Sequence, residues 1–313
     1  LIERAAMAWQ VSFDEAEQLL GLHRQKTVRI NPLRAKKSSK KDIADLGVAL
    51  KPIDWCTDAY TVTKGYDKLS KSQLFADGVF ILQDAASFLP VLALNPKPGE
   101  AILDVCAAPG GKTTHIAALS KNKAHITAND TSRARFFKMR DMFERMNVTA
   151  QTTLFDGRVL RKQFADKQFD KILLDAPCSG EAAMSPDNPK SYEQWSIAKI
   201  KRLSRLQEQL LITAYDLLTP GGQLVYSTCT IAPEENEQVI QYLLKRRKAI
   251  IKPVAIAIDA KVPGLTEWNG KQFNPELANT IRLKPSHQHE AFYTALLQKP
   301  LDDSNEPDDT YYQ

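Results

Sequence analysis

Several things this sequence lacks narrow what it can be. No apolar run reaches the roughly 18 residues a membrane span needs, and Leu1 to Gln10 carries no signal-peptide pattern, so a cytosolic protein without a membrane partner is expected. The chain starts at Leu1 rather than Met, which leaves room for an upstream segment. Cysteine is sparse: Cys56, Cys106, Cys178 and Cys229 are widely separated, with no C-x-x-C pair. That excludes a disulfide scaffold, a zinc ribbon and a thioredoxin-type redox site, and no metal is expected. Internal repeats and low-complexity tracts are also missing. With 313 residues, 43% hydrophobic and 25% charged, the composition is that of a globular protein large enough for a core domain plus a smaller one.

Positive charge is in excess, but unevenly. The net charge is +5, and the tail after Pro300 holds five acids with no Lys or Arg, which leaves +10 on residues 1–300. The excess favours an anionic partner. Residues 301–313 read as a solvated, mobile acidic tail.

Residues 1–82 predict a small α/β module. Ser12-Phe13-Asp14-Glu15 is a capping box that starts a helix ending at Gly21. Thr27 to Asn31 reads as a short strand and Ser39 to Leu46 as a second helix, with extended pieces near Lys51–Trp55, Tyr60–Thr63 and Val79–Gln83. Asp84 then opens an apolar helix, Ala85 to Leu94, and Asn95 to Gly99 is the clearest break in the chain. From Ala101 strands and helices alternate. Strands are expected at Ala101–Val105, Ala124–Asn129, Gln151–Phe155, Lys171–Leu174 and Gln223–Ser227, and helices at Lys112–Ser120, Ser132–Met146, Ile200–Leu218 and Pro233–Arg246. Thr280–Leu283 and Ala291–Leu297 close the sheet. Such alternation predicts a doubly wound, Rossmann-like α/β domain over residues 83–300, with ligands at the carboxyl ends of the strands.

The first of these strands runs into Cys106-Ala107-Ala108-Pro109-Gly110-Gly111-Lys112 and then a helix. Paired glycines let a ligand approach the backbone, and the helix start adds free N–H groups. The G-x-x-x-x-G-K-S/T spacing of a nucleotide-hydrolysing loop is absent, which disfavours ATP. Asp130 closes the second strand, 26 positions after Asp104, where an acid in this fold accepts bonds from ribose hydroxyls. Asp156 ends the third strand and suits an adenine edge, and Asp175 ends the fourth. A nucleoside ligand that is not strongly anionic fits this set, and S-adenosylmethionine fits better than a dinucleotide.

Asp175 leads into Ala176-Pro177-Cys178-Ser179-Gly180, and the fifth strand delivers Thr228-Cys229-Thr230 to the same sheet edge. Enzymes that methylate exocyclic amines place an aromatic where Cys178 stands. Carbon 5 of a pyrimidine needs a thiolate added at carbon 6 before it can take a methyl group, and a second group must then help remove the carbon-5 proton or release the adduct. The chemistry requires a nucleophile and a partner without saying which cysteine is which.

These residues resemble the Sun-type RNA cytosine-5 methyltransferases, the group that includes bacterial RsmF-like rRNA enzymes and eukaryotic tRNA and rRNA homologues. The resemblance spans about Gln83 to Lys299. It is carried by Gln83-Asp84-Ala85-Ala86-Ser87, Leu103-Asp104, the Cys106–Lys112 loop, Asp175 to Gly180, and Leu224 to Thr230 leading to Glu234-Glu235-Asn236. It implies S-adenosylmethionine contacts from Cys106, Ala107, Ala108, Pro109, Gly110, Gly111, Lys112, Asp130, Asp156 and Asp175, with Arg135 a further contact. It also implies Cys229 as nucleophile, Cys178 as the residue assisting release, and Lys112 and Asp175 near the target cytosine. RNA is the implied partner, rRNA ahead of tRNA, and a monomer is expected. Arg29 to Arg34 resembles the start of the family's RNA-binding region, and Arg34, Lys36, Lys37, Lys40 and Lys41 are candidates for phosphate contacts. Two stretches depart from the family pattern: Glu181 is followed by Ala182-Ala183, and near the C-terminus the usual Pro-His pair and later Gly are replaced by Pro285-Ser286-His287 and Glu290-Ala291 before Phe292. A non-catalytic RNA-binding or ribosome-assembly factor with the same fold is the competing reading, and an amine or protein methyltransferase a third.

Overall fold

The computed structural model describes residues 1–37 and 39–302. The tail expected to be solvated lies outside them from Asp303 onward. The N-terminal part comprises α1 (Ile2–Trp9), α2 (Phe13–Gly21), β1 (Thr27–Ile30), α3 (Ser39–Asp45), β2 (Ala49–Ile53), β3 (Cys56–Lys64), α4 (Tyr66–Ser70), α5 (Gln73–Ala76) and β4 (Phe80–Leu82). The large sheet and its helices follow as α6 (Leu89–Leu94), β5 (Ala101–Asp104), α7 (Gly111–Leu119), β6 (His125–Asn129), α8 (Arg133–Met146), β7 (Gln151–Thr153), α9 (Leu160–Gln163), β8 (Phe169–Asp175), α10 (Ile197–Asp216), β9 (Leu218–Thr228) and α11 (Glu237–Leu244). Then come β10 (Ile250–Lys252), β11 (Lys261–Pro263), the two-stranded ribbon β12 (Glu267–Trp268) and β13 (Lys271–Gln272), β14 (Ile281–Leu283) and β15 (Phe292–Gln298).

Strands β7-β6-β5-β8-β9 run parallel in that order, and β15 adds antiparallel to β9, followed by β14 and β11, with β10 on the other half of β15. The central strands are apolar on both faces because both are covered. Leu103, Ile172, Leu174, Leu224 and Tyr226 pack into one core with α10 and α11, whereas their neighbours Ile102, Leu173 and Val225 pack into the other with α6 and α7. Each such side chain contributes roughly 1.5–3 kcal/mol of burial.

The N-terminal part divides by core. Strands β2-β3-β1-β4 form an antiparallel sheet around Val28, Ile30, Tyr60, Val62 and Phe80. Helices α1 and α2 instead bury Ala5, Ala8, Trp9, Ala16 and Leu20 in the core of the large sheet. The Ser12 side chain accepts from Glu15 N at 3.1 Å, as the capping box requires.

Three local differences from the expected elements have physical causes. The stretch after Asp84 begins as a 3-10 turn over Ala85–Phe88 before turning α-helical at Leu89, because Pro90 has no N–H to continue an α-helical ladder from the turn before it. Strand β9 starts at Leu218 rather than Gln223. Its pairing with β8 jumps from Phe169↔Leu218 to Lys171↔Gln223, a bulge that absorbs Pro220-Gly221-Gly222. Helix α1 was not anticipated: its start at Leu1 has no side-chain cap, so the usual start signal is missing.

Candidate active site

The loop between β5 and α7 is shaped by its glycines. Gly110 has φ +109°, and a Cβ there would stand 2.9 Å from Phe143 Cε1; at Gly111 a Cβ would lie 3.1 Å from Gln83 Nε2. Asp130, 2% exposed, braces the loop: its Oδ2 accepts from Ala108 N at 3.1 Å and its Oδ1 from Ser132 N at 2.8 Å. Arg135 donates to the Ala108 carbonyl and lies 3.5 Å from Asp130.

A cleft of about 200 Å³ opens over this loop, and its lining includes Cys106, Ala107, Ala108, Pro109, Gly111, Lys112 and Asp175 from the expected set. Gln83, Asp104 and Met142 line it too. Gly110, Asp130, Arg135 and Asp156 are not among its lining residues, and Asp156 forms an ion pair with Arg158 at 2.5 Å, which holds its carboxyl below the ordinary range. Burial pushes the Cys106 thiol well up, as expected of a small apolar side chain. Cys56 is likewise raised by burial, to about 11.

Beside the cleft the strand ends bring together the groups that the sequence singled out. Cys178 Sγ and Cys229 Sγ are 3.3 Å apart, both as free thiols. The contact with Cys229, together with burial, holds the Cys178 thiol well above the ordinary range. Lys112 Nζ donates to Asp175 Oδ2 at 2.6 Å, and Asp175 Oδ1 accepts from Ser227 Oγ at 2.8 Å. Burial alone would lower the Lys112 ammonium, but the charge and hydrogen bond of Asp175 outweigh it, and a Cys229 thiolate adds to the rise. The Lys112 ammonium also stands 5.6 Å from the centre of the Phe292 ring.

A thiol pair, an ion pair and a glycine-rich loop on one edge of a parallel sheet form a constellation that can be compared with known proteins. The family model described as "16S rRNA methyltransferase RsmB/F" matches residues 91–298. The chain belongs to this family of RNA methyltransferases. Among its relatives, the tRNA (cytosine(49)-C(5))-methyltransferase of Pyrococcus abyssi is 39% identical over 278 residues, covering 88% of each chain. The 25S rRNA (cytosine-C(5))-methyltransferase nop2 of Schizosaccharomyces pombe is 37% identical over 310 residues, 96% of this chain and 50% of that protein. A crystal structure of a methyltransferase homolog from Pyrococcus horikoshii superposes with TM-score 0.77 at 30% identity, covering 95% of this chain and 98% of that one. The chain thus spans most of one relative and half of another.

For an RsmB/F-type enzyme the arrangement also holds groups that sequence reasoning passed over. Asp104 is 1% exposed; its Oδ2 accepts from Thr113 Oγ1 at 2.7 Å, but its Oδ1 has no hydrogen-bond partner, and burial raises it to about 7. Gln83 Oε1 is likewise buried and unpaired. Both belong to motifs quoted for the resemblance, yet nothing in their spacing marks them as ligands.

Arg29, at the head of the stretch that resembles an RNA-binding region, is 1% exposed and donates to Thr114 Oγ1 at 2.7 Å, propping α7 from behind. Of the five phosphate candidates, Arg34 donates to the Glu144 carbonyl at 3.1 Å and Lys40 lies over the Tyr60 ring. The two departures from the family pattern meet on one residue: Arg24 donates to Ala182 O at 2.7 Å and lies 3.8 Å from Glu290. Among the described residues no cluster of His, Cys, Asp or Glu could hold a metal ion, and no helix is long and apolar enough to cross a membrane.

Proposed function

We propose that this chain transfers a methyl group from S-adenosylmethionine to carbon 5 of a cytosine in RNA, with Cys229 as nucleophile and Cys178 as its partner. The observation that carries the reading is the 3.3 Å approach of the two thiols beside the Lys112–Asp175 pair.

The residues around the cleft fit the cofactor. Unpaired acceptors on Asp104 and Gln83 and the carboxylate of Asp175 suit a ligand with an ammonium group and a sulfonium cation. The Cys106–Lys112 loop, with Asp104 and Gln83, would hold it, and Asp130 and Arg135 would keep the loop in shape. Asp156 would reach an adenine edge by releasing Arg158. The bound cofactor supplies a methyl group on a positively charged sulfur.

The chain's own residues supply the rest. Cys229, as the thiolate, adds to carbon 6; an S–C bond forms and the carbon 5–carbon 6 pair moves to carbon 5, which takes the methyl group. Cys178, once its own proton has passed to solvent, accepts the carbon-5 proton as a thiolate, the double bond reforms and Cys229 leaves as thiolate. Lys112 and Asp175 orient the ring. The base must be unstacked to be attacked.

A second cleft, lined in part by Arg24, Lys26, Tyr66, Asp84 and Glu290, shares Leu82 and Gln83 with the first, and it supports passage of the RNA strand between the N-terminal sheet and the large one. We propose the sheet module within residues 1–82 as the part that presents RNA. rRNA is the favoured substrate, in keeping with the family description; tRNA is the second reading, favoured by the mutual 88% coverage with the Pyrococcus abyssi enzyme. Labelled S-adenosylmethionine with rRNA and tRNA transcripts, followed by bisulfite sequencing, tests both. Label on cytosine in one transcript selects between them, and label on neither overturns the reading.

A further inference from the structure

Directly behind the cysteines lie two acids that the reaction does not use. Glu181 is 1% exposed and Glu235 fully buried. Glu181 Oε2 accepts from Thr230 Oγ1 at 2.8 Å and Ile231 N at 3.0 Å, and its Oε1 from Trp195 Nε1 at 2.7 Å. Glu235 Oε2 accepts from Ser179 N at 3.0 Å and Gln207 Nε2 at 2.8 Å, and its Oε1 faces Thr230 Oγ1 at 3.5 Å. Ser179 and Thr230 are the residues immediately after Cys178 and Cys229, and their hydroxyls are 2.7 Å apart.

Among the described residues no cation is hydrogen-bonded to either carboxyl. The nearby arginines are engaged elsewhere: Arg4 pairs with Glu234, Arg282 pairs with Glu237 and donates to the Ile231 carbonyl at 2.8 Å, and Arg24 donates to the Ala182 carbonyl beside Glu181 at 2.7 Å. Helix α10 contributes the neutral Gln207, and the other titratable groups bearing on Glu235 or its neighbours include Cys178, Cys229, Tyr226, Tyr293 and Asp175, none of them a cation. Two buried carboxylates meeting at one hydroxyl cannot both be ionised cheaply. The neighbours decide where a proton goes. All three partners of Glu181 are donors, whereas Glu235 Oε1 has only the long 3.5 Å approach to the Thr230 hydroxyl, whose proton is spent on Glu181 at 2.8 Å and whose oxygen, also faced by Ala232 N at 3.4 Å, can accept.

We infer that Glu181 and Glu235 share one proton across Thr230, carried on Glu235, and that this bridge holds the Cys178 and Cys229 loops at reacting distance. They are positioning residues acting through Ser179 and Thr230. Burial agrees with that placement, since it raises Glu235 to about 7. As pH climbs through that value Glu235 ionises, the carboxylates repel and the loops part. The inference rests on the two-cysteine reading above.

The test compares Glu235→Gln, Glu235→Ala and Glu181→Gln in the full chain, each checked for folding by its thermal unfolding curve. Glutamine at 235 reproduces the protonated acid: its oxygen accepts from Ser179 and Gln207 and its amide donates to Thr230. Expected are a kcat within a few-fold of the unmodified chain near pH 6 for Glu235→Gln, with no decline on the alkaline side where the unmodified chain declines, and KM for RNA unchanged. Glu235→Ala and Glu181→Gln lose roughly tenfold or more in kcat, the size of one lost buried hydrogen bond. An alkaline limb that persists in Glu235→Gln, or a Glu235→Gln as impaired as Glu235→Ala, overturns the inference.

A second readout needs no RNA. Diamide, which takes up two electrons and two protons as two thiols join, should form a Cys178–Cys229 disulfide readily in the unmodified chain and in Glu235→Gln, and at least several-fold more slowly in Glu235→Ala, followed by mass spectrometry. Equal rates in all three overturn the bridge. Failure of the unmodified chain to make 5-methylcytosine instead sinks the two-cysteine reading, and the disulfide rates still report on the bridge.

Discussion

At the scale of single residues, the meeting of the two cysteines was legible because each follows closely on the end of an apolar strand, and parallel strands deliver their ends to one edge. Cys178 and Cys229 meet at 3.3 Å for that reason. The partners that hold them were not legible. Glu181 is 50 positions before Ile231, whose N–H it accepts, and no periodicity links the two. Gly110 could be read as a close-approach position, and its φ of +109° and the 2.9 Å to Phe143 state why. Gly110→Ala is therefore expected to cost roughly 1–3 kcal/mol of stability through backbone strain. It should also weaken S-adenosylmethionine binding. Thermal unfolding and isothermal titration check this; a variant unchanged in both would mean the loop is not under that constraint.

At the scale of elements, the alternation of strands and helices from Ala101 onward was readable from apolar runs and breaks, because both faces of the parallel sheet are covered. Chain direction at the far edge was not: β15 runs antiparallel to β9, and an apolar strand looks the same either way. How the N-terminal sheet attaches also escaped the sequence. Asn31, 1% exposed, donates from Nδ2 to the carbonyls of Gly78 at 3.0 Å and Met146 at 2.8 Å, tying β1 to the end of α8. Asn31→Ala leaves both carbonyls without that donor and should lower stability by roughly 1–3 kcal/mol, read as a lower urea midpoint. An unchanged midpoint would show that the tie is not holding the two parts together.

At the scale of the whole molecule, two buried carboxyls and one half-buried one share one behaviour. Burial raises Asp104, Glu235 and Glu290 to about 7 each, above the range they keep in an unfolded chain. A carboxyl raised on folding favours the folded state below its unfolded pKa, and that contribution drains away as pH rises through its folded value. The melting temperature should therefore fall between pH 5 and pH 8, and Glu235→Gln should flatten part of the slope. A melting temperature that rises over that interval would contradict the burial argument. The positive excess on residues 1–300 was visible in composition, but which of its side chains face RNA was not, since Arg29 proved to be buried.

The claim on which the account turns is that Cys229 attacks and Cys178 releases, and a gel tests it most directly. Unmodified chain, Cys178→Ala and Cys229→Ala are each incubated with substrate RNA and S-adenosylmethionine, then run under denaturing conditions. The account predicts a stable protein–RNA band with Cys178→Ala alone, because the adduct forms and cannot be resolved, and no methylation with Cys229→Ala. A trapped band with Cys229→Ala, or full methylation by it, would contradict the assignment.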